Sequence, residues 1–541
     1  MIILFFLNGL AIIPHLGIQT DEAIFSGPLF PGGSGWFEIS IFKKKVPFMV
    51  MTYLGTVKTG LYWLLLHIFA PSVYLLRIPP LVLGVLTILA FYFFALRATT
   101  PATALFSAAL LSTDTSYLLT TAMDWGPVAI QHLCHVTGLL LILKSYQTNR
   151  LLPLAGGCFA LGLGLWDKAL FLWMLSGAGL ACLIVFLTEV KRFLTARRII
   201  TAGFFFLLGA LPLVIYNIRR PLETFRGNAS FASDDLSQKI HLLPYTMNGS
   251  ALFGYLVDED WVVKTPGEPR TAVAKASLQL ARLSGERREN LYWYTFAASL
   301  LLTPVLLATS WRRPVLFLLL MMAVGWAQML ATKGAGGGVH HSILLWPYPL
   351  LLIGIAASWA ASKLGPYQTA FQVGLAAVLC GSALLVNNNY LRHAIRDGGA
   401  PGWSDANFTL AADLPKFGAS KIYLIDWGML DNTRFLTSGS LPLLLGSEPL
   451  MHPEPTPAGM RFVKFMLEDP KAIFAGNTND KQVFPEVNQR ISKLAARLGY
   501  ERRLLETVYD YRGRPFYEIF RFQPNPEDKA PTSPPNRSSK R

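Results

Sequence analysis

Apolar residues gather in eleven long stretches with few polar positions between them. These are 1–18, 72–97, 101–121, 124–145, 151–166, 169–188, 198–217, 291–310, 314–332, 341–361 and 367–387. Most approach the roughly 20 residues that cross a bilayer as a helix. The joints test this map. Alternate short loops hold Arg97; Lys144 and Arg150; Lys191, Arg192, Arg197 and Arg198; Arg312 and Arg313; and Lys363. All fall on one side if the first helix starts in the cytoplasm, which is the positive-inside pattern. The segments 19–71 and 218–290 and the C-terminal part then lie on the opposite face.

Those opposite segments have patterns of their own. In 19–71, the run LYWLLLHIFA is too short to span and predicts a helix lying in the interface. In 218–290, LLPYTMNGSALFGYLVDEDW reads as an aromatic hairpin-like stretch. From about 390 the period changes. KIYLIDW (421–427) and AIFAG (472–476) predict buried strands, and LLETVYDY and FYEIFRF predict a strand pair. PEVNQRISKLAARLGY has helical apolar spacing at Val487, Ile491, Leu494, Ala495 and Leu498. The expected fold is a polytopic α-helical membrane domain over 1–389, with about 11 transmembrane helices. A small soluble α/β domain follows over 390–522. The tail 523–541, rich in Pro, Ser and charge, predicts disorder.

Composition sharpens this picture. Only 15% of residues are charged, against about 25% in a soluble domain, so lipid is the main solvent. The net charge of +15 is scattered over short loops and forms no stripe, which excludes nucleic acid as a partner. Cys134, Cys158, Cys182 and Cys380 all lie in apolar runs, without zinc spacing or a disulfide framework. The N-terminal apolar run has no preceding basic region and no small-x-small cleavage site, so it reads as a retained helix.

Candidate chemistry concentrates at one end of the spans. Asp21-Glu22 follows the first helix; adjacent carboxylates can bind a divalent metal, and one can serve as a general base. Asp124, in TTAMDWGPVAI, fits either a cavity carboxylate or a helix cap. Asp114 reads as part of a local Ser/Thr/Asp hydrogen-bond cluster. Lys58, Arg77, Lys168, Arg219 and Arg220 run against the positive-inside bias, and an anionic phosphate is an economical reason for them. The loop ATKGAGGGVHHS offers His340 and His341 beside a glycine run that lacks the ending of a P-loop.

Taken in order, these elements resemble the GT-C glycosyltransferases, in the branch of protein O-mannosyltransferases and bacterial aminoarabinose transferases. The resemblance covers roughly 1–390. It rests on the acidic pair Asp21-Glu22, on Lys58 with Leu61-Tyr62-Trp63 (both family prolines absent), and on Arg77-Ile78-Pro79. Asp124, GLGLWDKALF with Lys168, and LPLVIYN complete it. A late Arg-Tyr element of the family is replaced by His341-Ser342 with Pro347. The resemblance implies a sugar donor carried on polyprenyl phosphate, with Lys58, Arg77, Lys168, Arg219 and His341 around its phosphate. Asp21 would take the acceptor proton, Glu22 would be its metal or structural partner, and Asp124 would line the cavity. It leaves a divalent metal, magnesium or manganese, open, with Asp21 and Glu22 as candidate ligands. The acceptor would be a glycan, a glycolipid or a protein. The setting would be a bacterial inner membrane, with the N-terminus cytoplasmic and the C-terminal domain periplasmic.

Three other classes compete. A transporter or flippase would carry ionisable residues deep in its spans, whereas here they sit at the ends. A lipid-phosphate ligase of another membrane fold needs no acidic pair after the first helix. A membrane anchor for the C-terminal domain needs far fewer spans.

Overall fold

The computed structural model describes residues 1–226, 228, 230–231, 235–259 and 271–525. The chain divides into two compact units, Met1–Leu29 with Gly33–Trp403, and Phe30–Gly32 with Ser404–Arg541.

The first unit is helical. Its leading elements are α1 (Ile2–Ile12), α2 (Thr20–Ala23), the hairpin β1 (Phe37–Ile41) and β2 (Lys44–Met49), α3 (Val57–Leu66) and α4 (Val73–Ala98). Then come α5 (Pro101–Thr113), α6 (Thr115–Met123), α7 (Val128–Thr148) and α8 (Leu151–Asp167). Each of the eleven expected spans coincides with helix. Among the described residues, four helices are long and apolar enough to cross a membrane, or up to seven if each bent pair counts as one span. Shorter helices fill the other expected spans, for local reasons. The run 101–121 breaks at Asp114, whose carboxylate takes the Tyr117 N–H at 2.7 Å and the Trp346 indole N–H at 3.0 Å. The stretch read as hairpin-like in 218–290 opens as the end of the helix Leu236–Asn248, closed by Gly249 at φ +81°, and then runs in turns with isolated bridges from Val257 to Phe253 and Gly399, its last two residues lying outside the described set.

Proline and glycine decide how these helices pack. Pro79 and Pro80 sit inside α4. Pro80 has no N–H to give Leu76, four residues back, and the Tyr62 hydroxyl donates to that carbonyl at 2.9 Å. This ties α3 to α4. Gly162 approaches so closely that a Cβ there would lie 2.1 Å from the Phe206 carbonyl oxygen. Small residues at such crossings let helix backbones touch.

The helix Gln368–Arg396 continues past position 389 without a break. The second unit holds a five-stranded sheet of β3 (Ile422–Leu424), β4 (Leu443–Leu445), β5 (Ile473–Asn477), β6 (Tyr500–Tyr509) and β7 (Pro515–Pro524), ordered β4-β3-β5-β7-β6. The first three strands pair in parallel, and β7 pairs antiparallel with β5 and β6. Period-two alternation buries both faces. Ile422, Leu424 and Ile473 pack in one cluster, and Tyr423, Ile425 and Phe474 pack in another with Val487 and Ile491 of the helix Pro485–Arg497. The expected disordered tail lies, from 526 on, outside the described residues.

Candidate active site

Local sequence sets the acidic turn. Gln19 caps α2, its side-chain oxygen accepting the N–H groups of Asp21 at 2.6 Å and Glu22 at 3.2 Å. Glu22 then points inward and Asp21 stays half-buried. Arg77, in the second turn of α4, is fully buried. Its Nε and Nη2 grip the two Glu22 oxygens at 2.7 and 2.9 Å. Nη1 donates to the Ile13 and Leu16 carbonyls at 2.7 and 2.9 Å, and Nη2 donates to Gly17 at 2.6 Å. A guanidinium has five N–H donors, and all five are used. Arg77 therefore stitches the turn that carries Asp21. As placed, it has no donor left for a phosphate.

Lys58 is likewise enclosed. Its ammonium lies 2.9 Å from Asp124 Oδ2 and donates to the Asp124 carbonyl at 2.6 Å, with both side chains 1% exposed. The other Asp124 oxygen caps α7 through the N–H groups of Val128 at 2.8 Å and Ala129 at 3.1 Å. Asp124 itself sits at φ +39°, the left-handed region that Asp tolerates better than most side chains. It is thus a cap and an ion-pair partner at once.

Lys168 completes the group. The backbone at Leu54 bridges to Lys168, and Gly55 N–H bonds the Asp167 carbonyl at 3.0 Å. A Cβ at Gly55 would lie 2.0 Å from the Trp166 carbonyl oxygen, so only glycine permits this seam. Lys168 Nζ donates to the Gly126 carbonyl at 2.8 Å. The turn 124–126 thus holds both lysines by its backbone. Burial lowers the Lys168 pKa to about 8, against the raising charges of Asp167, Asp124 and Asp21. Burial pushes the Asp21 carboxyl above its ordinary value, opposed by the Gln19 hydrogen bond and the Lys168 charge. The two groups therefore sense each other across one site.

Several residues here were not among the sequence candidates, though Trp125 and Tyr255 lie in stretches whose pattern stood out. The phenols of Tyr53 and Tyr255 are raised first by burial and then by the Asp21 charge, so both lie within its electrostatic reach. Trp125 packs edge-on to His340 and Trp403 and tilts against Tyr255, with ring centroids 5.4–5.7 Å apart, and its indole N–H donates to His340 Nδ1 at 3.1 Å. Asp167 is buried, and neither carboxylate oxygen has a hydrogen-bond partner among the described residues. Only its place before Lys168 could have drawn attention to it.

Of the remaining expected contacts, His341 packs against His340, the partner of Trp125, with ring centroids 4.0 Å apart. His341 is buried, accepts the Gly336 N–H at 3.2 Å and packs on Trp173. Arg219 ends the helix Leu211–Arg219, exposed and without an ion pair among the described residues. The acidic pair does not fit a resident divalent metal. Both Glu22 oxygens are held by Arg77, and no group of three or more His, Cys, Asp or Glu among the described residues is arranged to hold one.

Neither a family model nor a curated protein matches the sequence. Solved structures do. ArnT from Cupriavidus metallidurans in the apo state superposes with a TM-score of 0.56 at 13% identity, over 94% of this chain and 96% of that one. ArnT bound to undecaprenyl phosphate gives 0.57 at 12% identity, over 96% of each chain. The fold is the GT-C fold. The Archaeoglobus fulgidus oligosaccharyltransferase tethered with an acceptor peptide matches at 0.53 and 11% identity, over 97% of this chain and 74% of that one. Within this GT-C fold, the acidic turn after the first helix is gripped by Arg77, and the lysines of two later segments are held by the turn 124–126.

Proposed function

We propose that the protein is a membrane glycosyltransferase that moves a sugar from a polyprenyl-phosphate donor to an acceptor on the periplasmic face, inverting the anomeric carbon. The observation that carries this reading is the half-buried Asp21, fixed by Gln19 in the turn after the first helix and within electrostatic reach of Lys168, Tyr53 and Tyr255. The Asp21 carboxylate takes the acceptor hydroxyl proton as the new C–O bond forms at the anomeric carbon. The glycosyl–phosphate bond breaks, and its electron pair leaves on the lipid phosphate. Lys168 faces that growing negative charge in a site largely closed to water, where a fixed cation acts most strongly. Arg77, Glu22, Lys58 and Asp124 act one step back, holding the acidic turn and the lysine seam in place. The lipid chain would lie between helices, and the acceptor would be a glycan, glycolipid or protein hydroxyl. ArnT in its complex binds undecaprenyl phosphate, which supports this donor class.

The test is transfer from a radiolabelled polyprenyl-phosphate-sugar pool. Asp21→Asn and Lys168→Gln should each lose on the order of a hundredfold or more in turnover, the usual worth of a general base or a preorganised charge, with the protein still inserted. Normal transfer by both variants would refute the site. Labelling of 19–71 from the cytosolic side would refute the topology.

A further inference from the structure

The second unit contains a groove lined by its own residues alone. After β3 the chain runs to the edge strand β4, returns past β3 to β5, and then passes through the helix Pro485–Arg497 to β6 on the other side. The connections leaving β3 and β5 therefore part in opposite directions. Open α/β sheets take ligands at such a point, beyond the carboxyl ends of the strands. A groove of about 530 Å³ begins there, from Ile425 after β3 and Asn479 after β5, and runs along the helix. That volume is in the range of small-ligand sites.

The frame is fixed. Asp426 Oδ1 accepts the N–H groups of Trp427, Val483 and Phe484 at 2.8, 3.2 and 3.0 Å, pinning the end of β3 to the start of the helix. On the sheet side Phe520 is buried, with the Arg502 guanidinium 3.8 Å above its ring and bonded to Glu518 at 2.6 Å. The helix contributes Asn488, Gln489, Ser492 and Lys493, which recur at helical spacing on one face. Asn479 and Gln482 add two more amides, bonded to each other at 3.0 Å. No carboxylate lines the groove. Gln489 and Lys493 make no hydrogen bond or ion pair among the described residues.

The lining selects a ligand class. A side-chain amide both donates and accepts, as does each hydroxyl of a sugar ring. An apolar peptide segment would ask for aliphatic pockets, and a phosphopeptide for clustered arginines. Here four amides and a hydroxyl line the groove, with Lys493 unpaired among the described residues and Arg502 lying over Phe520 and paired with Glu518. We propose that this groove binds an acidic oligosaccharide, its hydroxyls on the amides and its carboxylate or phosphate on Lys493. This binding is separate from catalysis at Asp21 and does not rest on it.

The test is calorimetric titration of the full chain in nanodiscs with tetragalacturonate, with N-acetylchitotetraose as the neutral sugar and a Ser/Thr-rich octapeptide as the protein arm. Tetragalacturonate should bind saturably and more tightly than either. The double variant Asn488→Ala/Gln489→Ala should weaken it about tenfold, two hydrogen bonds' worth, and Lys493→Gln should remove the preference for the acidic sugar. These side chains are exposed or half-buried, so the variants should keep the wild-type thermal midpoint, measured alongside. Asp21→Asn should bind as wild type does. Failure to saturate by about 10 mM, far weaker than any specific site, overturns the proposal. So does preference for the peptide, equal binding of the two sugars, or binding lost in Asp21→Asn and kept in the groove variants.

Discussion

Arg77 separates a structural cation from a ligand-binding one, and Arg77→Lys tests the difference. The substitution keeps a positive charge but replaces five donors in a planar fork with three on one nitrogen. In the native chain those five serve both Glu22 oxygens and the carbonyls of Ile13, Leu16 and Gly17. At least two of these acceptors must lose their partner, and all are buried from water by the surrounding helices. Each orphaned acceptor costs about 1–3 kcal/mol, which gives a destabilisation of about 2–6 kcal/mol. That is a large part of the roughly 5–15 kcal/mol that holds a typical domain together. Arg77→Met should be no better, because breaking a buried pair leaves Glu22 uncompensated at about 3–5 kcal/mol. Adding Glu22→Gln should recover the ionic part and leave the three carbonyls unserved. Reversible unfolding in mixed micelles gives the stabilities, and transfer kinetics on the folded fraction give kcat and the KM for donor. The reasoning predicts fewer folded molecules with an unchanged donor KM. An Arg77→Lys protein within about 0.5 kcal/mol of wild type, with donor KM raised tenfold or more, would show that Arg77 grips the ligand instead.

Lys58→Met and Asp124→Asn should each destabilise the chain by about 3–5 kcal/mol, and the double variant by clearly less than their sum, as a buried pair requires; additive losses in an unfolding cycle would refute the pairing. Donor kcat/KM should trace a bell against pH. It rises as Asp21 ionises above its ordinary carboxylate value and falls above about pH 8 as Lys168 loses its proton; Lys168→Arg should remove the alkaline limb. The same lysine leaves a stability signature. Its folded pKa of about 8 lies below the 10.5 of a free lysine, so the unfolded chain holds more protons between those values. Its unfavourable contribution is full below about pH 8 and fades as pH rises through that window, which unfolding midpoints at pH 7 and 10 would read. Gly55→Ala should cost at least about 1–3 kcal/mol through overpacking against the Trp166 carbonyl, with transfer activity falling alongside; wild-type stability would mean the seam has slack.

Much of the fold was written in local pattern, because long apolar runs and period-two strands need no distant partner to be recognised. β3, β5, the β6–β7 pair and the helix Pro485–Arg497 all lie where their periodicity placed them. The β1–β2 hairpin was missed because its turn uses Phe42 and Lys43 at positive φ, without the Asn-Gly signature that marks such turns. In the candidate site, residue type pointed to Asp21, Asp124, Lys58 and Lys168. It could not separate them from Arg77 and Glu22, nor find Tyr53, Tyr255 and Trp125.

The sequence alone determined which residues prefer lipid, which segments alternate as strands, and that acids and cations gather at one end of the spans. Only the tertiary structure decided which of those charges are spent on each other. Arg77 meets partners 55–64 positions away and Lys58 meets one 66 positions away. Such pairing depends on helix crossings and loop closures, and no local window of sequence contains them. Asp21 alone of these side chains stays half-buried, while Glu22, Lys58, Arg77, Asp124 and Lys168 are enclosed.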